Sequence, residues 1–279
     1  MTSAVETVRP EKPGAETGPV SPPAKGIPFY RRTNHRLISV LAVALFLILW
    51  EVSGRVGIVS PFFVSSPSGV VTAGIEYFQS GLVWTDMKIS GLEFVIGYVL
   101  AVVVGIPLGL AMGWYKTLHA ALSPFVDFLF STPRVAFLPL LIVWMGVGIA
   151  PKVALVFIMA VLPLLMSVIS GVKTVDKTLL SVGKLFGASQ LTVFRTIVLP
   201  GSVPSIIAGL RVAVGTGLIG MVVGELYASS EGLGYRIVEA GQLFQTDRLF
   251  VAAIIVAIAG VLLSGALARL EKRLSAWRS

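Results

Sequence analysis

The 279-residue sequence has no cysteine, only two histidines, and few charged residues, which make up 13% of the chain. The lack of cysteine excludes a disulfide scaffold, thiolate metal ligands and a cysteine nucleophile. His35 and His119 lie in separate polar connections without carboxylate companions, so we expect no metal site. The sequence has no G-x-x-x-x-G-K-[ST] loop to bind ATP phosphates and no Ser-His-Asp grouping for hydrolysis. These absences indicate a chain without a catalytic centre or a cofactor.

Apolar residues dominate what is present, at 55% of the chain, and the mean hydropathy is +0.89. A bilayer core about 30 Å thick requires about 20 apolar residues in a helix. Six blocks approach or reach that length: 37–53, 89–113, 125–149, 153–172, 206–224 and 249–267. The sequence therefore predicts an all-α membrane protein with about six transmembrane helices, surrounded mainly by lipid.

The net charge of +8 comes from basic residues at both ends and in one polar segment, 173–204. Lys and Arg near helix ends remain in the cytoplasm more readily than they cross. This placement predicts that both termini and segment 173–204 are cytoplasmic, and it explains the charge without nucleic acid. Residues 1–36 are rich in proline and glycine without an apolar period, so we expect a disordered basic cytoplasmic tail before a transmembrane domain, 37–279.

The second block carries a small residue at every fourth position. These residues are Gly97, Ala101, Gly105, Gly109 and Gly113. Small residues on one helix face allow close backbone approach in a membrane. We expect this face to pack within the chain, with a dimer face or a moving gate as the alternative.

Segment 173–204 is predicted to form a helix, a glycine turn, a second helix and a proline stop. Gly187 can adopt the left-handed conformation that ends the first helix, Ser189 can cap the second, and Pro200 is expected to end it. The second helix carries one apolar face, formed by Leu191, Phe194 and Val198. An apolar face outside the bilayer needs a partner.

This segment resembles the signature of permease subunits in binding-protein-dependent ABC importers, which reads Glu-Ala-Ala, three residues, Gly, nine residues and Ile-x-Leu-Pro. Here Gly187 is followed after nine residues by Ile197, Val198, Leu199 and Pro200, whereas Ser181-Val182-Gly183 replaces Glu-Ala-Ala. The runs SSPSGVV, GIPLGLAMGW, PRVAFLPLLIVWMGVG and EGLG are similar to the branch that imports sulfonates, taurine and nitrate.

The resemblance implies a cytoplasmic coupling helix between the fourth and fifth spans, in contact with ABC ATPase subunits that hydrolyse ATP. The chain itself is then a transport subunit and not an enzyme. The coupling residues carried over by the motif are Lys184, Gly187, Ala188, Ser189, Leu191, Phe194, Ile197, Leu199 and Pro200. It also implies a bacterial inner membrane location, a second permease copy in a homodimer and an extracytoplasmic solute-binding protein.

Charges inside apolar blocks are candidates for a passage or gate, because a charge at the bilayer centre costs about 2.5 to 3.5 kcal/mol on insertion scales. Arg134 and Arg211 are expected in the cytoplasmic half, with Asp127 as a possible partner, and structural pairing is the competing interpretation. Glu93 and Glu225 are expected near the outer ends, close to solvent. Glu225 matches a position that is usually acidic in the family, which favours a gate or docking role.

We therefore expect alternating-access import of a small anion such as a sulfonate, taurine or nitrate. Related permeases also serve pyrimidines, riboflavin and aromatic acids, and these substrates remain open. A secondary transporter would need an ion-coupling carboxylate at midplane and often has paired repeats. A membrane enzyme would need polar catalytic groups that converge within the spans. The sequence shows neither feature clearly.

Overall fold

The computed structural model describes residues 29–56 and 64–274, which form α-helices joined by short connections, without a strand in either range. The helices are α1 Phe29–Arg55, α2 Pro67–Gln79, α3 Leu82–Trp114, α4 Lys116–Ser131, α5 Leu138–Met145, α6 Ile149–Lys173, α7 Lys177–Leu185, α8 Gln190–Val193, α9 Leu199–Ala228, α10 Leu233–Gln242 and α11 Thr246–Leu274. A 3₁₀ turn, Arg134–Phe137, precedes α5, and a π turn, Phe194–Val198, joins α8 to α9. The predicted all-α class is confirmed.

Within the described ranges, five helical segments are long and apolar enough to cross a membrane: 37–55, 82–114, 149–173, 190–228 and 246–273. The predicted span 125–149 is instead a pair of helical segments, Lys116–Ser131 and Arg134–Met145, bent by 94°. The break falls at Thr132, which is extended with ψ 139°. The reason is Pro133, because proline disfavours the helical conformation of the residue before it.

Helix α3 packs along α6 through the predicted ladder of small residues, and this face lies within the chain. The close contacts pair Gly97 with Val156, Gly109 with Val168 and Gly113 with Val172. A step of four residues along α3 is matched by the same step, in the same direction, along α6, so the two helices run parallel. Two parallel spans require the chain to cross back between them. The bent pair therefore supplies a sixth span.

Helix α9 packs antiparallel on another face of α6. The contacts pair Gly209 with Ser167, Gly220 with Met159 and Gly224 with Lys152. Position numbers rise along α9 as they fall along α6. Gly217 also lies close to Phe94 of α3, so its lack of a side chain lets α9 approach α3 closely.

The helix directions define two ends of this bundle. At the α10 end, α3 and α6 begin, α9 ends, and α10 follows. At the α7 end, α3 and α6 end, α7 and α8 follow, and α9 begins. The predicted orientation makes the α10 end extracytoplasmic and the α7 end cytoplasmic.

Helix α1 begins at Phe29, whereas the sequence predicted a disordered tail as far as residue 36. The reason is that arginine is a good helix former, so a helix formed by the apolar block extends backward through Arg31 and Arg32. Residues 1–28 of the predicted tail lie outside the described residues. Leu41 and Phe46 are exposed, as are the neighbouring apolar side chains of 37–48, which suits a lipid-facing helix.

Candidate functional site

The turn after α7 has the left-handed backbone conformation that the sequence predicts at Gly187. Gly187 has φ +72°, and it follows the last turn of α7. The N–H of Gly187 donates to the carbonyl of Lys184 at 3.0 Å, and the N–H of Ala188 donates to the carbonyl of Gly183 at 3.0 Å. This pair of hydrogen bonds is a Schellman motif, which stops a helix sharply.

Helix α8, which follows this turn, also begins as predicted, because the hydroxyl of Ser189 accepts a hydrogen bond from the N–H of Thr192 at 3.2 Å. The predicted stop at Pro200 is wrong. The chain passes through the π turn, in which the N–H of Leu199 donates to the carbonyl of Phe194, and continues as α9. Proline is accepted there because it directly follows the π turn, where the regular i→i−4 hydrogen-bond ladder is already interrupted, so a residue without an N–H costs little.

The three residues of the predicted apolar face, Leu191, Phe194 and Val198, lie in three different environments. Leu191 is exposed and Val198 is buried. Phe194 packs edge-on against Trp114 of α3, with ring centroids 5.6 Å apart. Ile197 lies near Gly183 of α7, so the segment is braced against α3 and α7.

Two exposed apolar side chains at the tip were missed by sequence reasoning. Leu185 is 86% exposed and Phe186 is 87% exposed. They directly precede Gly187, so the Schellman turn presents them away from the bundle. A large apolar pair between Lys184 and a helix-ending glycine is the signal that could have identified them.

At the α10 end, three successive backbone N–H groups at the start of α10 donate to side chains of the spans. Gly232 donates to Asp86 Oδ1 at 2.7 Å, Leu233 to Ser90 Oγ at 2.8 Å, and Gly234 to Glu225 Oε2 at 2.6 Å. All three acceptor side chains are buried. The first N–H groups of a helix lack intrahelical partners and favour nearby negative charge. Asp86 and Glu225 therefore cap α10 from α3 and α9.

Asp86 also binds polar groups on its second oxygen. Arg236 Nε donates to Asp86 Oδ2 at 2.8 Å, and the hydroxyl of Tyr77 donates to the same oxygen at 2.5 Å. Burial, and then the hydrogen bond to Asp86, raises the pKa of Tyr77 above its ordinary value. Asp86 thus joins α2, α3 and α10.

Glu93 and Lys152 form a buried ion pair between α3 and α6. Lys152 Nζ also donates to Ser229 Oγ at 3.1 Å in the connection after α9. The expectation that Glu93 and Glu225 lie close to solvent is wrong, because they are 1% and 0% exposed. The connection 229–232 and α10 cover this end, while Lys152 supplies the counter-charge that a buried carboxylate needs.

The remaining candidates for the passage contact different neighbours. Arg134 donates to the carbonyl of Met159 at 3.4 Å, and its guanidinium lies 5.6 Å from the ring centre of Phe130. Arg211 pairs with Glu271 of α11. The expected partner Asp127 is exposed and pairs with neither arginine among the described residues. Arg134, Arg211 and Glu225 are therefore not brought together within one chain.

Comparison with known proteins identifies the family. The profile of the family described as the binding-protein-dependent transport system inner membrane component matches residues 101–276. The chain belongs to this family. The permease thus has the ABC importer fold and transport class that its sequence resemblance predicted.

Similar proteins include permeases named for sulfonates. The permease is 31% identical to the taurine transport system permease protein of Escherichia coli (strain K12), over 86% of this chain and 89% of that protein. It is 30% identical to a Bacillus subtilis (strain 168) protein named for aliphatic sulfonate transport, over 86% and 87% of the two chains. The predicted resemblance to the sulfonate and taurine branch is confirmed.

Solved structures support the same fold. A chain of the MetNI methionine ABC transporter, in an inward-facing conformation, aligns with a TM-score of 0.62 at 16% sequence identity. The alignment covers 69% of the permease and 96% of that chain. The two chains therefore share an architecture at low sequence identity.

Proposed function

We propose that this permease moves a small sulfonate, of which taurine is the leading candidate, into the cytoplasm by alternating access. ATP hydrolysis on a separate ABC ATPase subunit drives the change, and an extracytoplasmic binding protein delivers the solute. A second copy of the permease completes the passage. The similarity to the taurine permease supports the substrate class, and the exposed tip at the α7 end is the observation that supports the coupling.

The tip formed by Leu185 and Phe186 has the properties of an anchor for the ATPase subunit. Burial of one such side chain contributes about 1.5 to 3 kcal/mol. Lys184 and Arg195 lie on the same segment, and basic residues near spans favour the cytoplasmic side. An exposed apolar pair on a basic cytoplasmic segment suits a protein partner in that compartment.

The tip is also connected to the spans by packed contacts. The β-carbon position of Gly183 lies 3.3 Å from side-chain atoms of Val193 and Ile197, and Phe194 packs on Trp114. Movement of the tip by an ATPase subunit would therefore be transmitted to α3 and, through the unbroken helical connection, to α9. This is the physical route by which nucleotide-driven closure would reach the passage.

The test is ATP-dependent taurine uptake into vesicles that contain the permease, its ATPase and its binding protein. Phe186→Ser removes the larger of the two apolar side chains of the tip, and we expect uptake to fall at least about tenfold, which corresponds to about 1.4 kcal/mol of lost interaction. Phe186→Leu is the matched control and should retain most uptake, because it keeps an apolar side chain. Wild-type uptake by Phe186→Ser would refute the coupling role.

Two further arms test driving force and substrate. Permease vesicles without ATPase should not equilibrate taurine, and full-rate passage would contradict ATP coupling. The complete system should accumulate taurine or another sulfonate in preference to a pyrimidine, riboflavin or an aromatic acid. Accumulation of one of those solutes without any sulfonate uptake would overturn the proposed substrate class.

A further inference from the structure

Two buried carboxyl groups, those of Glu93 in α3 and Glu225 in α9, lie side by side next to the start of α10. They are within hydrogen-bonding reach of each other. Glu93 Oε2 is closed off from solvent and receives no hydrogen bond from a donor among the described residues. An ionised carboxylate can only accept hydrogen bonds, so two of them cannot bond to each other. A hydrogen bond across this contact therefore requires a proton.

The other oxygens of the pair already have partners. Glu93 Oε1 forms the ion pair with Lys152. Glu225 Oε1 accepts a hydrogen bond from the hydroxyl of Ser90 at 2.6 Å, and Glu225 Oε2 accepts one from the N–H of Gly234 at 2.6 Å. Both donors to Glu225 are neutral. In the described part of the chain, the two carboxyl groups thus share a single cationic partner, Lys152.

The charged groups on the surrounding elements do not supply a second counter-charge. On α3, Asp86 pairs with Arg236 of α10, which also pairs with Glu239. Glu231, in the connection before α10, is exposed and negative. The positive end of α10 is equivalent to about half an elementary charge, and Asp86 shares it through the N–H of Gly232.

A buried carboxylate that lacks a counter-charge is neutralised by taking up a proton, because burial of the free charge costs far more. Two neighbouring carboxyl groups that cannot both ionise share one proton in this way. The proton then also supplies the donor that Glu93 Oε2 lacks. Burial, charge balance and the missing donor all lead to one proton for the pair.

We propose that Glu93 and Glu225 form a proton-binding site that holds one proton between them at neutral pH. The proton comes from water at the α10 end and lies between Glu93 Oε2 and the Glu225 carboxyl group. The pair keeps one negative charge opposite Lys152. Loss of the proton would set two charged carboxylates against each other and weaken the junction of α3 with α9, so closure of the α10 end is proton-sensitive.

The first test is infrared spectroscopy of the purified full-length permease in a maltoside detergent, which has no carbonyl group of its own. A protonated carboxylic acid has a carbonyl stretching band that a carboxylate lacks. The wild type should show this band at neutral pH, where an ordinary glutamate is ionised. Its absence from the wild type would overturn the inference without any variant.

Two variants assign the band to the pair. Glu93→Gln and Glu225→Gln should each abolish it, because the carboxyl group that remains can ionise beside Lys152 and accept a hydrogen bond from the new amide. Glu239→Gln is the matched control, since Glu239 lies on α10 and pairs with Arg236, and it should retain the band. A band that persists in both Glu93→Gln and Glu225→Gln would refute the site.

The second test follows the proton through stability. Between about pH 5 and about pH 7, the folded pair would hold a proton that an unfolded glutamate has already released. The folded state then binds more protons, so its stability falls as the pH rises. The folding equilibrium constant of the wild type should fall about tenfold more per pH unit than that of Glu225→Gln, measured by denaturant unfolding. Equal pH dependence of the two proteins would contradict the bound proton.

This inference and the proposed function fail separately. The proton site depends neither on the solute nor on the ATPase, and both of its tests use the permease alone. Taurine uptake driven by ATP, without the infrared band, would refute the proton site and leave the proposed function standing. The band with no sulfonate uptake by the complete system would do the reverse.

Discussion

The carboxylate of Glu225 in α9 accepts a hydrogen bond from the N–H of Gly234 in α10 at 2.6 Å. Gly232, the residue before α10, has no side chain that could cap this helix. A span residue therefore performs the capping, and α10 is fixed to the bundle by a buried charge. The close approach also requires glycine, because a β-carbon at Gly234 would lie 2.9 Å from Glu225 Oε2.

Glu225→Ala should lower the thermal unfolding midpoint of the purified permease. The hydroxyl of Ser90 also donates to Glu225 Oε1, at 2.6 Å. The change leaves this hydroxyl and the N–H of Gly234 without their acceptor, and each such loss costs about 1 to 3 kcal/mol. Glu225→Gln keeps one acceptor oxygen and should lie between the wild type and the alanine variant. Equal midpoints for the wild type and Glu225→Ala would show that this contact does not hold α10.

Gly109→Leu should destabilise the bundle, because the added β-carbon would lie 2.7 Å from the β-carbon of Val168. Overpacking of this kind costs about 1 to 3 kcal/mol. Gly91→Leu is the matched control in the same helix, since nothing lies within 4 Å of its β-carbon position. Thermal unfolding should show a loss only for Gly109→Leu, and equal behaviour of the two variants would contradict close packing of α3 on α6.

Gly187→Val should impair ATP-driven uptake while membrane insertion remains intact. The left-handed conformation at Gly187 costs a branched L-residue about 1 to 2 kcal/mol or more, whereas asparagine tolerates it. The effect would come from the backbone, because nothing lies within 4 Å of the β-carbon position. Gly187→Asn is therefore the control and should retain more uptake. Unchanged uptake by the valine variant would count against a role for the turn.

The stability of the permease should fall at alkaline pH in a way that depends on Tyr77. Its folded-state pKa is raised above the ordinary value of 10.0, through burial and then the bond to Asp86. The unfolded chain thus loses this proton first, so the stabilisation is present below about pH 10 and decreases as the pH rises above it. Tyr77→Phe should show a smaller loss of unfolding temperature between pH 9 and about pH 11. Identical pH profiles would contradict this assignment.

Several features of the fold could be predicted from local sequence alone. Long apolar runs predict spans because only lipid suits their surface, and a helix is the form that satisfies the backbone there. Gly187 and Ser189 predicted a turn and a cap because these residues act on their own neighbours. Pro200 misled the prediction, since whether a proline stops a helix or opens one depends on the hydrogen-bonding pattern of the preceding turn.

The polar groups of the α10 end could not be paired from the sequence. Asp86 lies on α3 and Gly232 in the connection before α10, while Glu93 and Lys152 lie on two different helices, and no local pattern relates the members of either pair. Glu93 and Glu225 were expected near solvent because they lie toward the ends of apolar runs. Their burial depends on the connection after α9 folding back over these ends, which is a tertiary event.

The sequence by itself determined that this chain is a helical membrane protein, because composition selects the solvent, and its resemblance to the permease signature around Gly187 indicated the ABC importer class. Only the tertiary structure decided which charged side chains pair, that α6 packs against the small-residue face of α3, and that Leu185 and Phe186 are exposed. The physical reason is the distance along the chain over which each interaction acts. Solvent preference and turn geometry act through neighbouring residues, whereas ion pairing and packing in a low-dielectric bundle depend on residues brought together from distant helices.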